Sequence, residues 1–213
     1  MASMAVRAIV FDIGGVLEIT PRTGAAERWE ARLGLRPGEL DERTHDLWEA
    51  GAVGAVSLDD VHRRLCELLG LDEAVVRAFM DDLWAEYLGT LNAELTEYVR
   101  GLRPRYRTAI ISNSFVGARE KERERYQLDE LTDLLVYSHE VGISKPDPRI
   151  YELTCERLGV RPEEAVFVDD TEAMVDGART VGMRALLFED NAQAIAEIEA
   201  LLPGPGADGP PAS

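Results

Sequence analysis

The chain has 213 residues and a formal net charge of -17, from 40 acidic against 23 basic side chains. That length can bury a self-sufficient core in one domain with an insert or in two small domains, while the charge repels nucleic-acid backbones and anionic lipid, so neither is expected as a partner. The two cysteines, Cys66 and Cys155, lie far apart without a paired spacing, which argues against a disulfide framework or a zinc site and for two buried, reduced thiols.

Residues 1–7 contain one arginine and no long apolar run, and no stretch reaches the roughly 20 apolar residues of a membrane span, so a cytoplasmic location is the default expectation. Residues 6–11 form an apolar run that stops at Asp12 and is followed by Gly14 and Gly15. It reads as a strand buried on both faces, delivering Asp12 to its carboxyl end. Residues 18–88 show helical periodicity, start signals at Pro37 and at Ser57-Leu58-Asp59-Asp60, and no convincing strand. They are predicted to form a small all-helical cap inserted into an α/β core made of 1–17 and 89–202. Leaving the sheet directly after Asp12, such an insert would cover that edge as a lid, and Trp29, Trp48 and Trp84, all within it, would report its closure.

Apolar runs recur at 108–111, 134–137, 165–168 and 185–188, and helical patterns cover 148–158, 173–181 and 192–202. Strands alternating with helices predict parallel crossovers and a doubly wound parallel sheet. Ligands of such sheets sit outside the carboxyl ends of the strands, where Asp12, Ser112 and Asp169-Asp170 fall. The charge-alternating run 119–125 reads as a solvated helix face, and the Pro-, Gly- and Ala-rich residues 203–213 as a disordered tail. An apolar helix face of the insert can bury against the core or against a second copy, so the oligomeric state stays open.

Four short motifs are expected at strand ends: Phe11-Asp12-Ile13-Gly14-Gly15-Val16, Ile111-Ser112-Asn113-Ser114, Lys145-Pro146-Asp147-Pro148 and Phe167-Val168-Asp169-Asp170-Thr171. Singly, each is an ordinary cap, turn or loop. In this order they resemble the haloacid dehalogenase superfamily, with an Asp nucleophile, a Ser or Thr, a Lys and an acidic pair. The resemblance covers nearly the whole chain, strongest over 141–151 and 169–178. It implies a phosphatase-like hydrolase in which Asp12 forms an aspartyl-phosphate, splitting one hard displacement into two easier ones. Mg²⁺ would be held by Asp12, the backbone carbonyl of Gly14 and Asp169, with Asp170 orienting the site. Lys145 would pair with the nucleophile and the phosphoryl oxygens, and Ser112 would donate to one of them. Gly14, Gly15 and Asn113 are expected at the bound phosphate, the first two through an anion-binding nest of backbone amides.

One position departs from the family pattern. Most phosphatases of the superfamily carry, two residues after the nucleophile, a second Asp that protonates the leaving oxygen; here that position is Gly14. The proton transfer is worth roughly 10² to 10⁴ in rate, about 3 to 5 kcal/mol. Three explanations compete. The chain could be a phosphatase for a small metabolite, a phosphosugar above all, that uses a good leaving group or borrows an acid from Glu18, His45 or Glu49. It could be a dehalogenase, which needs neither metal nor acid, although relatives of that kind usually carry an aromatic residue at the Gly14 position. It could be a non-catalytic phosphate-binding or regulatory protein, a reading to which Met174 adds weight because relatives often have Asn there.

Overall fold

The apolar run that ends at Asp12 forms β1 (Ala8–Phe11) in the computed structural model, which describes residues 5–20 and 22–202; the tail expected to be disordered at 203–213 lies outside them. All four side chains of β1 are buried and alternate between two cores, as period-two geometry requires. Ile9 and Phe11 join one cluster with Leu95, Val99 and Ile198, while Ala8 and Val10 join another with Ile150, Tyr151 and Val175. A strand buried on both faces has no polar side to alternate with, which is why it reads as a continuous apolar run.

After β1 come β2 (Glu18–Ile19) and the four helices of the insert: α1 (Ala25–Leu33), α2 (Glu39–Ala52), α3 (Leu58–Leu69) and α4 (Glu73–Leu88). The chain returns through β3 (Thr90–Leu91) and α5 (Ala93–Leu102) to β4 (Arg107–Ser112), then α6 (Ala118–Tyr126), α7 (Leu128–Leu131), β5 (Leu134–Tyr137) and α8 (Ser138–Val141). It closes with α9 (Pro148–Leu158), β6 (Ala165–Asp169), α10 (Glu172–Thr180), β7 (Arg184–Leu187) and α11 (Asn191–Leu201). The five long strands form one parallel sheet in the order β5-β4-β1-β6-β7. With α5 and α11 on one face and α9 and α10 on the other, the sheet is doubly wound, as expected. The chain leaves β1 toward β4 and β5, then crosses back to β6, so the switch point lies between β1 and β6, where such sheets bind their ligands.

The insert is helical, with its own core around Trp29, Leu47, Leu65, Phe79 and Trp84. The start signal at Ser57 is realised as a capping box: Ser57 Oγ accepts from the Asp60 amide at 3.1 Å and Asp60 accepts from the Ser57 amide at 3.4 Å. Pro37 precedes α2, whose N-cap is Gly38. One expectation needs correction. The pattern from Glu18 onward predicts no convincing strand, yet Glu18 and Ile19 pair antiparallel with Leu91 and Thr90, tying the two ends of the cap together. Two-residue strands carry no periodicity, so the pattern could not reveal them. The cap meets the core closely at Gly51, where a Cβ would lie 2.0 Å from the ring of Phe115 on the loop after β4. Among the described residues, no helix is long and apolar enough to cross a membrane.

Candidate active site

Asp12 stands directly after β1, its amide continuing the ladder to the Val168 carbonyl at 2.9 Å, and Asp169 ends the neighbouring β6. Parallel pairing therefore brings two carboxylates from positions 157 residues apart to one sheet edge. Lys145, from the loop before α9, is inserted between them: its Nζ lies 2.7 Å from Asp12 Oδ1 and 2.6 Å from Asp169 Oδ2. The lysine is buried at 4% exposure and Asp169 fully so. Burial pushes the Asp12 carboxyl up to about 6; Lys145 pulls it down, and the charge of Asp169 adds to the rise.

Asp170 is exposed and folds back over the loop after β1. Gly15 has a left-handed backbone (φ 77°), and a Cβ there would lie 2.0 Å from Asp170 Oδ2, so only glycine lets the two segments approach. The carboxylate oxygens of Asp12, Asp169 and Asp170 come within 4.8 Å of one another. One ammonium against three carboxylates leaves an excess of negative charge that a divalent cation with a preference for hard oxygen ligands would match.

Two of the expected phosphate contacts are otherwise engaged. The Gly15 amide donates to the Glu18 carbonyl at 2.8 Å, so the nest expected across Gly14 and Gly15 lacks that donor. The Asn113 carboxamide is committed to the backbone of Lys145, donating to its carbonyl at 2.8 Å and accepting from its amide at 2.7 Å. Its side chain thus holds the lysine loop in register. Ser112, at the end of β4, is buried and lines the same cavity as Asp12, Gly14 and Lys145. That cavity, about 790 Å³, lies between the sheet edge and the cap.

The three candidates for a borrowed acid separate cleanly. His45 and Glu49 pair with each other at 3.4 Å on an outward face of α2, with side chains 57% and 71% exposed, and neither lines the cavity. Their place one turn apart on a polar stripe explains both facts. Glu18 does line the cavity, and it is fully buried with neither carboxylate oxygen hydrogen-bonded. Burial, followed by the charge of Glu122, pushes it up to about 9. Met174 and the aromatic side chains of Trp48 and Trp84 also line the cavity, whereas Trp29 is buried in the cap core.

Sequence reasoning missed Glu122. The run 119–125 reads as a solvated helix face, but Ala118 and Glu122, four residues apart on α6, both face inward. Glu122 accepts a hydrogen bond from the Tyr137 hydroxyl, stands beside Tyr87, and is pushed up to about 7 by burial. Tyr87, in turn beside Ser112, is raised well above the ordinary phenol value by burial and by the charges of Glu122 and Glu18. The only available signal was the small residue Ala118 one turn before the acid.

Over residues 6–182 the chain matches the haloacid dehalogenase-like hydrolase family. It is 31% identical over 218 residues to bifunctional epoxide hydrolase 2 of Sus scrofa, an alignment that covers 92% of this chain but only 39% of that longer protein. It is 26% identical over 208 residues to D-ribitol-5-phosphate phosphatase of Bacteroides thetaiotaomicron, covering 92% of this chain and 98% of the relative. In fold it resembles a HAD family enzyme from Bacteroides thetaiotaomicron solved in complex with magnesium and inorganic phosphate, with a TM-score of 0.76 at 19% identity, covering 89% of this chain and 99% of that one. Spanning the helical insert and the sheet strands β1, β4, β5 and β6, the family match makes this chain a member of the haloacid dehalogenase-like hydrolases.

Proposed function

We propose that the chain is a magnesium-dependent phosphatase that hydrolyses a small-molecule phosphate monoester through an aspartyl-phosphate on Asp12. The observation that carries the reading is Lys145, buried between Asp12 and Asp169 at 2.7 and 2.6 Å, beside a cavity large enough for a small metabolite. The Asp12 carboxylate attacks phosphorus, and the bond from phosphorus to the alcohol oxygen breaks, that oxygen leaving with the electron pair and taking up a proton. Water then attacks the aspartyl-phosphate at phosphorus and expels the Asp12 carboxylate, releasing inorganic phosphate.

Lys145 supplies a point charge to nucleophile and phosphoryl oxygens alike, and the Ser112 hydroxyl donates to one of those oxygens. The Asp12 and Asp169 carboxylates and the Gly14 carbonyl suit Mg²⁺ as ligands, with Asp170 orienting them. When bound, the ion neutralises charge between an anionic ester and an anionic nucleophile. Gly14 offers no acid to the leaving oxygen; of the three candidates, Glu18 alone lines the cavity. The relative named for D-ribitol 5-phosphate supports a phosphosugar as the ester, although the chemistry at phosphorus does not depend on the alcohol.

Purified protein incubated with Mg²⁺ and a panel of phosphate monoesters should release phosphate, and chelator or Asp12→Asn should stop it. Release that survives both would defeat the mechanism. Metal-independent halide release from a 2-haloacid would identify a dehalogenase instead, and tight phosphate binding without turnover a regulatory protein.

A further inference from the structure

On the cap side much of the cavity wall is built from apolar side chains: Trp48 of α2, and Phe79, Met80, Leu83 and Trp84 of α4, with Phe115 of the core loop inserted among them. The rings form one connected surface, with Phe115 centred 5.4 Å from Trp48 and 6.2 Å from Trp84, and Trp48 centred 6.4 Å from Phe79. The polar groups that also line the cavity are not arranged to receive a polyol. Thr20, Arg22 and Asp41 are solvent-exposed. Glu86 has one carboxylate oxygen committed, its Oε2 accepting from the Thr23 hydroxyl and from the amides of Thr23 and Ala25, and Tyr87 stands beside Glu122 and Ser112. Glu18 stands near Asp12, at the phosphate end.

We propose that the alcohol carried by the phosphate is predominantly apolar, an alkyl or aryl body seated against the aromatic wall of the cap. This rests on the phosphatase reading above, keeps its chemistry at phosphorus, and puts an apolar alcohol in place of the phosphosugar that the ribitol-phosphate relative supports. A sugar can stack on one ring, but each of its hydroxyls leaves water on entering, and a buried hydroxyl without a partner is strongly disfavoured. An alkyl chain loses nothing of that kind and gains from every methylene removed from water. The discrimination is therefore carried by the cap, while the sheet edge reads only the phosphate.

The test compares esters of primary alcohols, in which the neighbouring hydroxyl makes each polyol's oxygen the better leaving group and so biases the comparison against the proposal: butyl, hexyl and octyl phosphate against glycerol 3-phosphate and ribitol 5-phosphate, with Mg²⁺. We expect kcat/KM to rise about two- to fourfold per methylene, and hexyl phosphate to exceed ribitol 5-phosphate by roughly tenfold or more. A flat or falling alkyl series, or preference for the sugar ester, would overturn the proposal while leaving the phosphatase reading intact. Leu83→Asn should flatten the chain-length dependence; an unchanged slope would count against the wall. Should no ester be hydrolysed, the phosphatase reading fails and binding still decides: alkylphosphonates titrated into the Asp12→Asn protein, followed by tryptophan fluorescence, should bind more tightly as the chain lengthens. Affinity independent of length would sink the substrate class.

Discussion

Glu18 is protonated in the folded chain over a range where it is ionised once unfolded, and that difference is measurable as stability. Its carboxyl rises from 4.5 to about 9, through burial first and the nearby Glu122 charge second. Below about pH 4.5 both states carry the proton, and the residue's contribution to stability is fully present. As pH climbs, the unfolded chain gives up the proton and the folded chain keeps it, so stability falls until the folded carboxyl also ionises near pH 9. One proton corresponds to about 1.4 kcal/mol per pH unit, so the loss from pH 5 to pH 8 is on the order of 2 to 4 kcal/mol, the lower figure allowing for water drawn to the ionised form. Glu18→Gln keeps the shape and cannot ionise. Urea unfolding of parent and variant, followed by tryptophan fluorescence in chelator at pH 5, 6.5 and 8, should therefore show the variant gaining on the parent by that amount as pH rises. The constant cost of burying an amide cancels in the comparison. A difference that stays level across the three pH values would refute a neutral Glu18.

Three further perturbations probe the same edge. Lys145→Met leaves Asp12 and Asp169 buried without their cation; we expect about 3 to 5 kcal/mol of destabilisation at pH 7, less at pH 5 where the Asp12 carboxyl, already raised by burial, takes up a proton, and a larger loss at pH 5 would contradict the pairing. Gly14 has no atom within 4 Å of a built Cβ and does not need a left-handed backbone, so Gly14→Asp can be accommodated. It should raise kcat on alkyl phosphates by roughly 10² and on p-nitrophenyl phosphate far less; equal effects would show that proton transfer is not what the chain lacks. Gly51→Ala drives a methyl toward the Phe115 ring and should lower stability by about 1 to 3 kcal/mol and shift the emission of Trp48, which packs on that ring. Unaltered emission would place the cap–core contact elsewhere.

Local pattern along the chain encodes part of this architecture. Five apolar runs became the five strands of the main sheet, because a strand buried on both faces must be apolar throughout. Helical periodicity and the Ser57 cap foretold the helical insert, and Asp12, Ser112 and Asp169 were legible because each ends a strand or directly follows one, whereas Lys145 stands in the loop between α8 and α9 and not at a strand end. Tertiary structure decided everything that depends on two distant segments meeting. The central position of β1 in the sheet, the Asn113 clamp on Lys145 and the short ribbon joining Glu18–Ile19 to Thr90–Leu91 are pairings across dozens of residues, invisible to periodicity. Glu122 looked like one more charge on a solvated helix until α6 packed its Ala118 face inward. The apolar wall of the cavity is likewise a product of packing: Trp48, Phe79 and Trp84 read as core residues in any helical pattern, and only the docking of the cap over the sheet edge leaves their rings facing a space beside Asp12.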